Sequence, residues 1–357
     1  MHENSLARKQ ASKQASKQAS KQARLNYLDL YKGICILFII VTHYRWEDIQ
    51  RKCLLFPFWI EMAVPAFLVI TGYLSAMSLE KANISVREAY YPKKIICKWL
   101  RFVLPFIAAF IFQIIVKCFW SENHINFLGV IWIFVSGGSG PGAYYFPVML
   151  QVILIFPLIW HVIKKHHFRG LLICFGTNLI YEMFKTYINM RPDIYRLCAF
   201  RYIFILAYGC FLYFHTGEEK KAQKLGYYIS GIFGVVYIVV FNYTNAKPLI
   251  TDQWTLTSIF AVLFIVPVMG YLLKPNKLHS GLLELIGRAS FNIFLVQMIY
   301  YWLFAEKIHE LIHGTIIPLF INIVICCLLG ICYYEIEQPI TQKIIRSIKN
   351  LPANKVS

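Results

Sequence analysis

The chain has 357 residues, 58% of them hydrophobic and only 15% charged, with a mean hydropathy of +0.54. A soluble domain of this length carries about 25% charge, so composition argues against a string of soluble domains and leaves none to carry a nucleic-acid function. The formal net charge of +18 suits anionic lipids and anionic ligands such as nucleotides instead.

The first 24 residues are polar, and 11–22 read ASKQASKQASKQ. This is a basic low-complexity tail suited to the neighbourhood of anionic lipids. No cleavable signal peptide is expected, because the first apolar run keeps Asp29 and Lys32. Apolar runs then recur near 28–45, 56–79, 95–118, 142–163, 169–190, 195–215, 225–243, 254–273, 282–304 and 314–336. Each approaches the roughly 20 residues that a membrane-spanning helix needs. The stretch 125–137 is apolar but short, and reads as a re-entrant or interfacial piece.

With residue 1 cytoplasmic, the inner segments hold 25 Lys and Arg against 10 for the outer ones. That bias follows the positive-inside rule. The expected fold is all-α, a polytopic membrane bundle of about ten transmembrane helices with both termini cytoplasmic. Residues 1–25 and 341–357 form basic cytoplasmic tails around a membrane domain at 26–340. The expected location is the cell (plasma or inner) membrane.

The ten cysteines show no C-x-x-C spacing. Cys35, Cys97, Cys326 and Cys327 lie inside spans and read as small packing residues. H-E-x-x-H, P-loop and G-x-S-x-G patterns are absent, and no metal is expected. Gly137-Gly138-Ser139-Gly140-Pro141-Gly142 reads as a flexible outer loop before the fourth span.

Ionisable groups inside spans cost about 2.5–3.5 kcal/mol on insertion scales, so each needs a reason. In the first span, Lys32 and His43 are eleven residues apart. Eleven steps of about 100° return to the same flank within roughly 20°, with a rise of about 16 Å. A cation near the cytoplasm and an imidazole in the outer half then share one stripe, able to link a donor on one side with an acceptor on the other. Separately, Lys32 has a second reading as a snorkelling residue, and His43 as a packing histidine.

In the second span, Pro65 should bend the helix by removing the bond to the carbonyl of Glu61. Glu61 falls near the depth of His43, where a carboxylate would orient the imidazole; the other reading is a solvated rim carboxylate. The third span opens with Lys94, Lys98 and Arg101 on one basic stripe. The positive-inside rule accounts for that stripe, and phosphate binding is the sharper alternative. Pro105 frees the carbonyl of Arg101. Glu335 and Glu337 are candidates to pair with the basic stripe, and Arg201 to face a polar acceptor or an anionic headgroup.

These residues together resemble the acyltransferase-3 family of membrane acyltransferases, over roughly 26–340. Leu28-Asp29-Leu30-Tyr31-Lys32-Gly33 through His43 resembles the family's "lDxxR/KG…H" signature. Val64-Pro65-Ala66-Phe67 with Thr71-Gly72-Tyr73 resembles "vPxFFxxSGY", and Lys98-x-x-Arg101-x-x-x-Pro105 resembles "RxxRxxxP". Tyr144-Tyr145-Phe146 through Pro157, Ile286-Gly287-Arg288-Ala289-Ser290-Phe291 through Leu295, and Glu337-Gln338-Pro339 are similar to later family segments. The chain departs from the pattern at four points: Thr71 stands for Ser, Tyr144 or Tyr145 for Trp, Gln297 for a frequent His, and Met149 for a glutamate of one branch.

The resemblance implies transfer of an acyl group, most often acetyl, from acyl-CoA to a hydroxyl of a cell-surface or envelope glycan or another acceptor. His43 corresponds to the family's essential histidine and Lys32 to its basic partner, with Asp29 beside it. Lys98 and Arg101, with Lys94, would hold the donor's phosphates. Thr71 or Ser290 would meet charge developing on the reacting oxygen. The rival reading is a transporter or flippase of a lipid-linked glycan, but the matched broken helices of an internal repeat are not evident in the sequence.

Overall fold

The computed structural model describes residues 26–120, 126–215, 221–244, 246, 265–273, 278–312 and 314–350. The tail 1–25, the first half of the eighth predicted span (254–264) and the end of the C-terminal tail (351–357) lie outside the described residues. The described chain is helical, with no strand. The elements are α1 (26–42), α2 (Asp48–Cys53), α3 (Ala63–Ala82), α4 (Val86–Ala89), α5 (Pro92–Trp120), α6 (Phe127–Val135), α7 (Tyr145–Tyr187), α8 (Pro192–Leu197), α9 (Ile203–His215), α10 (Lys221–Tyr243), α11 (265–272), α12 (Gly281–Arg288), α13 (Ser290–Leu303), α14 (Ala305–Leu311) and α15 (Ile316–Asn350).

Five described helices are long and apolar enough to cross a membrane, and a sixth if α12 and α13, bent by 71°, count as one. This is a helical membrane bundle. Its peripheral helices show the expected sidedness: α5 exposes Ile107, Ile111, Phe112, Ile115 and Phe119, and α10 exposes Tyr228, Ile229, Ile232, Phe233 and Val236. In water such faces would be sticky patches; here they are the lipid-facing sides. The short apolar α6 is nine residues long, about 14 Å of helix, too short to cross.

Three local features bear on the sequence reading, two of them by departing from it. Pro65 does not bend a helix. The chain from 56 to 62 forms a 3₁₀ turn (Phe56–Phe58) and further turns, so α3 starts at Ala63 and Pro65 falls in its first turn. There its missing N–H has no intrahelical partner to lose. The 43-residue α7 is not one rod but two helices, as the separate runs 142–163 and 169–190 predicted: His167 has φ 46° and ψ −118°, and the chain turns back so that Gly170 packs on the backbone of Val162 and Ile163. Third, α15 continues to Asn350, so the described part of the C-terminal tail extends the last helix.

The interior divides into two apolar clusters. One joins the start of α1 to α3, α7 and α9 through Leu28, Leu68, Ile70, Trp160 and Leu206. The other joins the end of α1 to α5, α13 and α15 through Ile40, Phe106, Ile293, Met298 and Cys326. In the first, Gly72 and Gly209 let α3 and α9 touch backbone to backbone. A Cβ at either would lie 2.2 Å from the Leu206 carbonyl oxygen or 2.0 Å from that of Val69. Small residues at crossings are how membrane helices gain packing where water supplies no drive. Helix α1 belongs to both clusters and forms the seam between them.

Candidate active site

A cavity of about 30 Å³ lies at that seam, room for about two waters. Ile36, Ile39 and His43 of the α1 stripe form one wall. Val64 and Phe67 of α3, Gly142, Tyr144 and Tyr145 before and at the start of α7, and Ser290, Phe291 and Phe294 of α13 complete it. Each wall comes from a different packed element, so the cavity's shape depends on both clusters. Its only polar side chains are an imidazole, two phenols and one hydroxyl.

His43 sits just past the end of α1, its ring centroid 6.4 Å from that of Tyr301. The Tyr301 hydroxyl donates to the Ile40 carbonyl at 2.9 Å, which fastens α13 to this end of α1. Arg51 is close enough for its charge to act on the imidazole. Glu61, the carboxylate expected to orient His43, instead accepts from Arg51 at 2.7 Å. The carboxylate nearest in sequence logic is thus engaged by a cation from α2.

The stretch 137–142 is not a free loop. Buried Gln113 of α5 receives the Ser139 N–H at 2.8 Å and donates to the Ser139 carbonyl at 3.1 Å. Gly140 packs on Met298, and Gly142, at φ +85°, lies so close that a Cβ there would stand 2.9 Å from Phe294 and 3.4 Å from His43 Nε2. The glycines let the backbone form part of the cavity wall.

Lys32 lies one turn from Ile36 on the same flank of α1, outside the cavity lining. Its Nζ is 2.6 Å from Asp29. This end of α1 is fixed against α12 by another close approach: a Cβ at Gly287 would fall 1.7 Å from the Asp29 carbonyl oxygen, and one at Gly33 2.2 Å from that of Leu283. That contact sets the start of α13, and with it Ser290, in register with α1.

Lys94, Lys98 and Arg101 share a flank of α5 and act on one another electrostatically. Among the described residues neither Lys98 nor Arg101 has a carboxylate partner. The stripe adjoins the cavity wall through Phe102, which meets Phe291 edge-on at 5.0 Å. Pro105 remains inside α5, and its carbonyl accepts from the Tyr333 hydroxyl at 2.5 Å. Glu337 does not reach the basic stripe; it accepts from Asn292 at 3.2 Å and from Thr341. Thr71 lies outside the lining and donates to the Phe67 carbonyl at 2.9 Å.

Several features of the site are not evident from the pattern alone. Tyr144 and Tyr145 were visible only as an aromatic pair, and Phe67 only as part of a motif. Arg51 carried no signal. Gln297 is wholly buried, and among the described residues both ends of its amide are unpartnered. On α13 it falls between cavity-lining Phe294 and Tyr301, on the flank turned to α1.

The fold and the cavity together define a multi-pass helical membrane protein with a histidine-centred pocket at a helix seam. Residues 25–334 match the family model described as an acyltransferase domain (acyltransferase-3), and the chain belongs to that family. It is a membrane acyltransferase. No curated protein and no solved structure matches it.

Proposed function

We propose that this enzyme transfers an acyl group, acetyl in the simplest case, from cytoplasmic acyl-CoA to a hydroxyl of a cell-surface or envelope glycan, in the plasma or inner membrane. The observation that carries the reading is the His43 imidazole in a cavity wall, with Lys32 one turn below the lining on the same helix flank. The Lys and Arg bias assigns the Lys32 end to the cytoplasm.

On this reading Lys98, Arg101 and Lys94 attract the phosphates of acyl-CoA, and the thioester enters past Phe102 and Phe291. A 30 Å³ cavity is smaller than a thioester, so entry requires Phe67 and Phe294 to move. His43 takes the proton of the acceptor hydroxyl as its oxygen attacks the thioester carbon. The C–S bond then breaks, and the leaving thiolate recovers the proton from the imidazolium. Ser290, Tyr144 and Tyr145 are the hydroxyls available to the developing oxyanion.

The test uses isolated membranes and labelled acetyl-CoA. Wild type should label the glycan fraction and His43→Ala should not. Equal labelling by both would discard His43 as the reacting group. Without acceptor, no acyl-enzyme should accumulate; a stable one would make His43 a carrier instead.

A further inference from the structure

Beside the cavity lies a buried polar cluster that the scheme above leaves unused. Asn178 and Glu182 occupy one face of the second half of α7, one turn apart, at 1% and 2% exposure. Arg201, in the 3₁₀ turn Ala199–Tyr202, stacks on Tyr195 at 4.6 Å and on Tyr202 at 4.8 Å. The pieces share contacts. Tyr195 donates to one Glu182 oxygen at 2.6 Å, and the Asn178 side-chain carbonyl accepts from the Phe204 N–H at 3.3 Å. Tyr202 lies close enough to Tyr144 for the two phenols to act on one another, and Tyr144 lines the His43 cavity.

Among the described residues, three buried atoms of this cluster have no hydrogen-bond partner: Asn178 Nδ2, Glu182 Oε2 and Arg201 Nε. Leaving such an atom buried and unpaired is unfavourable. Two are donors and one is an acceptor. A hydroxyl group has the complementary set, with lone pairs for two donors and one O–H for an acceptor. The charge distribution agrees. Segment 185–201 holds four of the ten Lys and Arg assigned to the outer face, where topology alone disfavours them. Arg191 is held by Asp193 at 2.6 Å, and Lys185 lies over the Tyr195 ring at 5.3 Å.

We propose that Arg201, Glu182 and Asn178 form a subsite that grips one hydroxyl of a polyhydroxylated (sugar) acceptor, with Tyr202 and Tyr144 leading from it to His43. The proposal rests on the acyl-transfer reading and names where that reaction holds its acceptor. A neighbouring hydroxyl of the same sugar, reaching past Tyr144, would be the one acylated.

The experiment uses the full-length protein in membranes, labelled acetyl-CoA, and the envelope glycan of the same cells stripped of O-esters by mild alkali. For Arg201→Met and Asn178→Leu the glycan concentration at half-maximal rate should rise about tenfold. The half-saturating acetyl-CoA concentration should move less than twofold. Arg201→Lys keeps the charge but loses the Nε–H, and should show an intermediate rise in the glycan value. Each variant is first shown to be monodisperse in detergent, and whichever variants insert correctly are compared. An unchanged glycan value, or an equal rise for both substrates, would overturn the subsite. Absence of His43-dependent transfer in wild type would sink the acyl-transfer reading itself, and the subsite with it.

Discussion

The two approaches to His43 are built on opposite principles. On the Lys32 side the cations stand near the surface: Arg101 is exposed, and Lys32 shares a part-exposed pair with Asp29. On the Tyr144 side Glu182, Asn178 and the Tyr195 and Tyr202 rings are packed away from water around Arg201. Exposed charges attract ligands over several ångströms but contribute little to stability. Buried polar groups hold the fold and ligand geometry together, and losing one strands its neighbours. On the proposed function and subsite, the molecule separates attraction of the donor from recognition of the acceptor.

The largest expected effect lies at the joint between the two sides. Gly287→Val would drive a side chain into the Asp29 carbonyl. It should cost at least about 3 kcal/mol and reduce the yield of monodisperse protein severalfold in size-exclusion chromatography. Next comes Glu182→Ala, which removes the acceptor of the Tyr195 hydroxyl and the carboxylate whose charge acts on Arg201. A loss of about 3 kcal/mol should appear as a melting temperature lower by several degrees in detergent.

Lys32→Met on the other side should leave the melting temperature within about a degree, since part-exposed pairs are worth about 0–1 kcal/mol. Labelled-acetyl transfer should nevertheless fall at least tenfold. Arg101→Ala should raise the half-saturating acetyl-CoA concentration by about tenfold at low salt, and less at high salt. If Arg101→Ala destabilised the protein as much as Glu182→Ala, the division between the two sides would be wrong. Thr71→Ala should be the mildest, within twofold of wild type in transfer, because that hydroxyl is occupied by the Phe67 carbonyl.

Particular residues show how far sequence reading reaches. The common flank of Lys32 and His43 follows from the period of a single helix, and the apolar runs follow from their length alone. Pro65 was misleading because the same proline bends a helix in mid-span but is neutral in the first turn. The turn at Phe56–Phe58 decided which case applied. Glu61 illustrates competition: its depth suited His43, but Arg51 of α2 reaches it at 2.7 Å. The 137–142 loop has the composition of a mobile linker, yet Gln113, 26 residues from Ser139, holds it at both backbone atoms.

By itself the sequence determined that this chain is a helical membrane protein, and that an imidazole and a lysine share one flank of its first helix. Those properties depend on runs and periods along one strand of chain, where neighbours are known. Only the tertiary structure decided that α1 is the seam between two clusters, that Gly142 closes the wall beside His43, and that Asn178, Glu182 and Arg201 gather behind Tyr144. Those positions arise where helices distant in sequence cross, and the crossings depend on backbone approach and side-chain shape that no local pattern records.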